Sequence, residues 1–117
     1  VIEHIKDPVL AIKNIRTMLK DNGILIIGTP DFDSGAARRY GSNFRLLNDP
    51  THISLFSSDS MHRCLRDLGF IINKVEYPFF ETDWFNKENL IRLLNNKTVS
   101  PPFYGSIMTF FCTKQTK

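Results

Sequence analysis

The spacing of apolar residues predicts a helix followed directly by a buried strand. Apolar positions recur at helical spacing over residues 8–20. Asp7-Pro8 can begin this helix, because Asp caps free N–H groups and Pro fits the first turn, and Asn22-Gly23 can end it. The continuous apolar run Ile24–Pro30 then predicts a strand buried on both faces, which is typical of a parallel sheet. Residues 1–8 read as the end of an earlier strand, a polar turn and the helix cap.

The rest of the pattern predicts further helices and strands separated by two long connections. Residues 31–49 form a polar connection, and residues 78–105 form an insertion rich in aromatic side chains. The predicted elements are a helical turn at 36–40, a helix between the Ser57 cap and Gly69, a strand at 70–77, a short helix at 86–95 and a strand at 106–113. Because no long crossover helix separates the last two strands, we expect them to be antiparallel neighbours.

Composition and charge narrow the classes of function. The chain has 117 residues, of which 42% are hydrophobic and 23% charged, so we expect a single domain over residues 1–117. No apolar run approaches the roughly 20 residues of a membrane span, and no signal peptide is visible. The net charge is +3, but the basic residues do not form a continuous stripe along the sequence, so nucleic acid is not an expected partner.

The two cysteines predict buried free thiols. Cys64 and Cys112 lie far apart, each within an apolar pattern. No CxxC pair or Cys/His spacing typical of zinc is present. This usage favours a reducing, cytoplasmic location.

Four segments occur in a fixed order along the first 77 residues. They are a Glu-His-x-x-Asp-Pro segment from Glu3, a Leu-Lys-x-x-Gly turn from Leu19, an apolar strand ending in Thr29-Pro30, and a Thr-His-x-x-x-Phe-Ser segment from Thr51. In this order they resemble class I S-adenosylmethionine-dependent methyltransferases, and among these the ubiquinone-biosynthesis O-methyltransferases. The turn usually has two glycines in that family, and Asn22 stands in place of the first.

The resemblance implies an α/β fold, the C-terminal part of a Rossmann-like seven-stranded methyltransferase sheet with parallel strands and a terminal antiparallel hairpin. The family's glycine-rich cofactor turn has no counterpart among the 117 residues, and we expect it before Val1. The resemblance further implies that the chain belongs to an enzyme using S-adenosylmethionine to methylate a small-molecule acceptor, with O-methylation favoured, and that this chain alone is incomplete.

The same resemblance implies that Ile2, Glu3 and His4 border the cofactor near the transferred methyl. His4 would be the base that takes a proton from an acceptor hydroxyl, with a structural hydrogen bond as an equally weighted alternative. For Glu3 a carboxylate at a helix start is the favoured alternative. A metal in the ubiquinone-type enzymes is linked to a further upstream Glu, which would precede Val1, so no metal site is predicted.

The acceptor pocket of the family lies on the connection after the buried strand. Arg38, Tyr40 and Arg45 fall there and would suit an anionic or phenolic acceptor, with solvated surface charge as the alternative. His52 is expected to contact the acceptor or take part in catalysis, with a hydrogen bond that fixes its loop as the commoner alternative. His62 is expected to be exposed to solvent.

Two other functions remain open at this point. The missing glycine-rich turn is compatible with a truncated, non-catalytic interaction module, and the α/β pattern is compatible with another enzyme class such as a reductase. The aromatic residues of 78–105 fit a lid over an apolar acceptor, a core or an interface. An exposed sheet edge or this insertion would allow a homodimer.

Overall fold

The computed structural model describes residues 1–116, which form an α/β fold. No helix among these residues is long and apolar enough to cross a membrane. After a 3₁₀ helix at Ile2–His4, the helices and strands are α1 (Pro8–Met18), β1 (Ile24–Pro30), α2 (Gly35–Tyr40), α3 (Ser58–Asp67), β2 (Phe70–Glu76), α4 (Lys87–Arg92) and β3 (Ile107–Lys114), with a second 3₁₀ helix at Gly41–Asn43.

The strand β3 lies between β1 and β2 and pairs antiparallel with both. Ile24 lies opposite Thr113, and Phe70 lies opposite Lys114. The antiparallel pairing of the last two strands is therefore confirmed. The sheet of residues 1–116 has three strands, and β1, which was predicted to belong to a parallel sheet, has β3 as its antiparallel partner. The seven-stranded sheet, of which these residues were expected to form the C-terminal part, stays a prediction.

The helices α1 and α3 contribute to one core on a single face of the sheet. Ile12 of α1 and Met61 of α3 are fully buried there with Phe110 of β3. On the opposite face of β1, Ile24 and Ile26 are 62% and 59% exposed. The predicted burial of this strand on both faces is wrong for the described residues, because they place no helix over the second face.

Residues 1–8 do not contain the end of a strand, contrary to the prediction. Ile2–His4 form a 3₁₀ helix that lies against β1. Ile2 and Ile5 both pack on the main core, and their spacing of three suits a helical turn rather than an alternating strand. The predicted cap of α1 is confirmed, since the Asp7 carboxylate accepts a hydrogen bond from Leu10 N at 3.0 Å.

Two expectations about single side chains have different outcomes. His62 is half-buried, with its ring 4.9 Å from that of Phe110 in an edge-on contact, so its predicted exposure is wrong. Cys64 and Cys112 are free thiols, as predicted, but Cys64 is only half-buried. Burial raises the pKa of the fully buried Cys112 to about 11.

Gly69 joins α3 to β2 in a left-handed conformation with φ of +87°. Its carbonyl accepts hydrogen bonds from Arg16 Nε at 3.2 Å and from Gln115 N at 2.9 Å. A Cβ atom at Gly69 would lie 2.6 Å from Arg16 Nε. One glycine therefore links the α3–β2 turn to α1 and to the end of β3.

We expect Gly69→Ala to lower the free energy of unfolding by about 1–2 kcal/mol, because alanine is strained in the left-handed conformation. Gly35→Ala is the matched control, since a Cβ atom at Gly35 meets nothing within 4 Å and φ there is not positive. This control should be neutral or slightly stabilising. Urea denaturation measures both variants, and equal stabilities would contradict the role given to Gly69.

Candidate functional site

The connection after β1 returns to the N-terminal 3₁₀ helix and is held there by hydrogen bonds. Ile53 N and Ser54 N both donate to Glu3 O, at 2.9 and 3.0 Å. The Ser54 hydroxyl donates to Ile5 O at 2.5 Å. These bonds fix the two segments that carry His4 and His52 side by side.

His4 and His52 form a pair whose ring centroids lie 4.7 Å apart, with planes tilted by 58°. Nδ1 of His4 lies 3.0 Å from Thr51 O, and Nδ1 of His52 is hydrogen-bonded to Leu46 O. A carbonyl oxygen can only accept, so each Nδ1 carries a proton and donates it. In the neutral rings each Nε2 therefore has a free lone pair.

Glu3 adds a buried carboxylate to the histidine pair. The residue is 7% exposed, and its Oε1 accepts a hydrogen bond from the Val1 amino group at 2.7 Å. Burial by itself raises the pKa of Glu3, but hydrogen bonds to its carboxylate, one of them from the nitrogen of Val1, and the charge of His4 contribute to a pKa below its ordinary value. The carboxylate is therefore ionised at neutral pH.

Asp49 orders the loop that carries His52. Its Oδ1 accepts hydrogen bonds from the Thr51 hydroxyl and amide at 2.6 and 2.9 Å, and these bonds lower the pKa of Asp49. Its Oδ2 lies 3.5 Å from Nε2 of His52, close enough for an ion pair when the imidazole is protonated. Asp49 is not among the site residues predicted from the sequence, although Asp-Pro-Thr is a turn-forming sequence that could have indicated it.

Glu3, His4 and His52 offer one oxygen and two nitrogen atoms that all lie within 4.8 Å of one another. This donor set suits a divalent cation such as Zn²⁺. In each histidine Nδ1 is hydrogen-bonded to a backbone carbonyl, which leaves Nε2 as the atom suited to bind a metal. No metal site was predicted from the sequence, because the resemblance required a further glutamate before Val1, whereas here His52 joins Glu3 and His4 through tertiary folding.

An apolar cavity of about 300 Å³ lies where the 3₁₀ helix, α1 and β1 meet. Ile2, Ile15 and Leu25 are among the residues that line it. Ile2 is 5% exposed and belongs to the main core. Its side chain therefore serves packing, and it anchors the segment that presents Glu3 and His4.

The three other residues predicted to bind an acceptor lie in different environments. Arg38 is exposed and forms a two-pronged ion pair with Asp33, at 2.9 and 2.8 Å. Tyr40 is 4% exposed and donates its hydroxyl proton to Arg92 O at 3.1 Å. The structure does not bring Arg38 and Tyr40 to the histidine pair, and their role in acceptor binding stays a prediction. Arg45 is half-buried, and its Nε has no partner among the described residues.

Comparison with known proteins agrees with this fold. Residues 1–75 match the family model described as a methyltransferase domain. Over 97% of its length the chain superimposes on a SAM-dependent methyltransferase from Thermotoga maritima, named as a possible histamine N-methyltransferase, with a TM-score of 0.67 and 24% sequence identity. It covers 52% of that protein, and so spans about half its length. A comparison with curated proteins gives no match.

Proposed function

Because the chain belongs to the methyltransferase domain family, we propose that it forms part of an S-adenosylmethionine-dependent enzyme that methylates a small molecule, with a hydroxyl oxygen as the favoured acceptor atom. The observation that carries this proposal is the His4–His52 pair beside the ionised Glu3. His52 lies 6.2 Å from the ring of Phe32, just beyond the carboxyl end of β1. Ligands of open α/β sheets bind at this end of the strands.

His4 is the residue suited to act as the base. Its ring is exposed, its Nε2 carries a lone pair, and the Thr51 carbonyl fixes its orientation. The ionised Glu3 stabilises the positive charge that His4 gains when it takes the hydroxyl proton. S-adenosylmethionine, when bound, supplies an electrophilic methyl group on a sulfonium cation. His52 is proposed to contact the acceptor beside His4.

Ile2, Glu3 and His4 are the residues that we propose to border the cofactor. Ile2 contributes by anchoring the segment on the core, and the ionised carboxylate of Glu3 fits a cationic sulfonium. The Glu-His-x-x-Asp-Pro and Thr-His-x-x-x-Phe-Ser segments support the ubiquinone-type O-methyltransferases as the subgroup. The two free cysteines support a cytoplasmic location.

We expect His4→Ala to lower kcat/KM for methyl transfer to a hydroxyl acceptor by about 100-fold, since a general base typically contributes that much or more. His52→Ala should raise KM more than it lowers kcat, because His52 is proposed to contact the acceptor. The measurement follows tritiated methyl transfer from labelled S-adenosylmethionine to catechol, with histamine as an amine acceptor in parallel.

His62→Gln is the matched control, because His62 lies on α3 against Phe110 and outside the site. Thermal unfolding is measured for every variant to check that each one folds. Loss of transfer to catechol in His4→Ala supports the base. Transfer to histamine alone, at a rate that His4→Ala leaves unchanged, would contradict O-methylation. The assay uses the full-length protein that contains these residues, and no transfer to any acceptor by that protein would favour a non-catalytic module.

A divalent cation held by Glu3, His4 and His52 is the second candidate role for the same cluster. The observation that favours it is the convergence of three ligand atoms with both histidines already oriented by backbone carbonyls. A bound cation would lower the pKa of a coordinated hydroxyl group and so replace the base.

We expect calorimetric titration with zinc chloride to show one binding site. His52→Ala should weaken zinc binding by at least about tenfold, because it removes one of three ligands. His62→Gln should bind zinc as the unaltered protein does. Zinc affinity that is equal in His52→Ala and in the unaltered protein would overturn the metal role and leave the base role intact.

Self-association is a further proposal, supported by two exposed features. The edge of β1 away from β3 pairs with no strand of the described residues, and the insertion exposes Phe80 and Trp84 at 58% and 57%. Sedimentation velocity should show a dimer. Ile26→Lys should disrupt this dimer if it forms through the strand edge, and Trp84→Ser should disrupt it if it forms through the insertion. A monomer at all concentrations would contradict both.

A further inference from the structure

A second cavity lies beyond the carboxyl end of β1, separate from the histidine pair. It has a volume of about 150 Å³ and is lined by Arg45, Ser106 and aromatic side chains that include Phe79, Trp84 and Phe103. Ser106 O accepts a hydrogen bond from Asp31 N at 2.9 Å, which places the cavity where β1 ends and β3 begins.

Ser106 lines this cavity, and its hydroxyl group is not used in any hydrogen bond of the described residues. The residue is 3% exposed, and its Oγ has no hydrogen-bond partner within residues 1–116. Its main chain is fixed, because its N–H donates to Phe103 O at 3.1 Å. Buried hydroxyl groups in native proteins nearly always have a partner, so this one is available to a ligand that enters the cavity.

Arg45 presents an uncompensated cation in the same cavity. Its Nε is buried without a partner, and none of the ion pairs or hydrogen bonds among the described residues uses its guanidinium group. Its main-chain N–H is held by the Ser100 hydroxyl at 2.9 Å. Burial, and then the nearby positive charge of Arg92, lower the pKa of Arg45. A half-buried cation beside another cation is stabilised by an anion.

The aromatic side chains determine the shape of a suitable ligand. Phe79 is 2% exposed, and its ring centroid lies 5.5 Å from that of Phe103. A cavity on the order of 150 Å³ with apolar walls can hold one benzene ring. A flat apolar body therefore fits beside the two unpartnered polar groups.

We propose that this cavity binds a small aryl carboxylate, with the Arg45 guanidinium and the Ser106 hydroxyl donating to the carboxylate oxygens and the aromatic walls holding the ring. A planar guanidinium matches the two oxygens of a carboxylate. The further role of this cavity as the anchor of the methyl acceptor rests on the proposed function, whereas binding itself does not. Arg45 directly precedes Leu46, whose carbonyl holds His52, so the anchor and the histidine pair share one connection.

Calorimetry or protein-observed NMR with benzoate as the probe tests the cavity without cofactor or methyl transfer. Benzyl alcohol keeps the ring without the charge, and acetate keeps the charge without the ring. We expect benzoate to bind at least about tenfold more tightly than either. Arg45→Met should remove that advantage while leaving benzyl alcohol binding unchanged, and Ser106→Ala should weaken benzoate binding about two- to tenfold.

Arg63→Met is the matched control, since Arg63 is exposed on α3 and lies outside this cavity, and it should bind benzoate as the unaltered protein does. If Arg45→Met does not fold, Arg45→Lys keeps the charge without the planar group and should still weaken benzoate binding. Benzoate that binds no better than benzyl alcohol, or equally well to the Arg45 and Ser106 variants, would overturn the proposal. Because no methyl transfer is measured, these outcomes are independent of the test of the histidine pair.

Discussion

The position of β3 between β1 and β2 is the constraint on which the rest of the structure depends. This last strand in the sequence is the central strand of the sheet, and both neighbours hydrogen-bond to it. Its inward side chains Met108, Phe110 and Cys112 are fully buried in the main core. The carboxyl end of β1, from which the site connection leaves, is therefore positioned by a strand that follows it by more than seventy residues.

A second constraint is the carbonyl group of Glu3, which accepts two main-chain hydrogen bonds from the connection after β1. These two main-chain bonds do not depend on the side chains of the connection. A third bond does, because the Ser54 hydroxyl donates to the carbonyl of Ile5. These bonds bring His52 to His4, with each Nδ1 held by a backbone carbonyl and Nε2 of His52 3.5 Å from the Asp49 carboxylate. The orientation of both rings by backbone carbonyls is what makes the pair suitable as a base or as metal ligands.

The connection between β1 and α3 carries both chemical features of the molecule. The carbonyl of Leu46 in this connection is hydrogen-bonded to His52, and Arg45, the residue before Leu46, lines the aromatic cavity. A ligand held by Arg45 would therefore contact the same stretch of main chain that orients His52. This arrangement joins recognition of an anion to the chemistry of the histidine pair through two consecutive residues.

Local signals in the sequence determined the helices and strands after residue 7, because caps, glycine turns and apolar spacing act over a few residues, whereas the N-terminal segment is a 3₁₀ helix and not the predicted strand end. Asp7, the Ser57 cap and Gly69 marked boundaries that the structure keeps. Only the tertiary structure decided that β1 has an antiparallel partner and one exposed face, and that His52 lies beside His4. These depend on strand order and on bonds between segments about fifty residues apart, which no local pattern encodes.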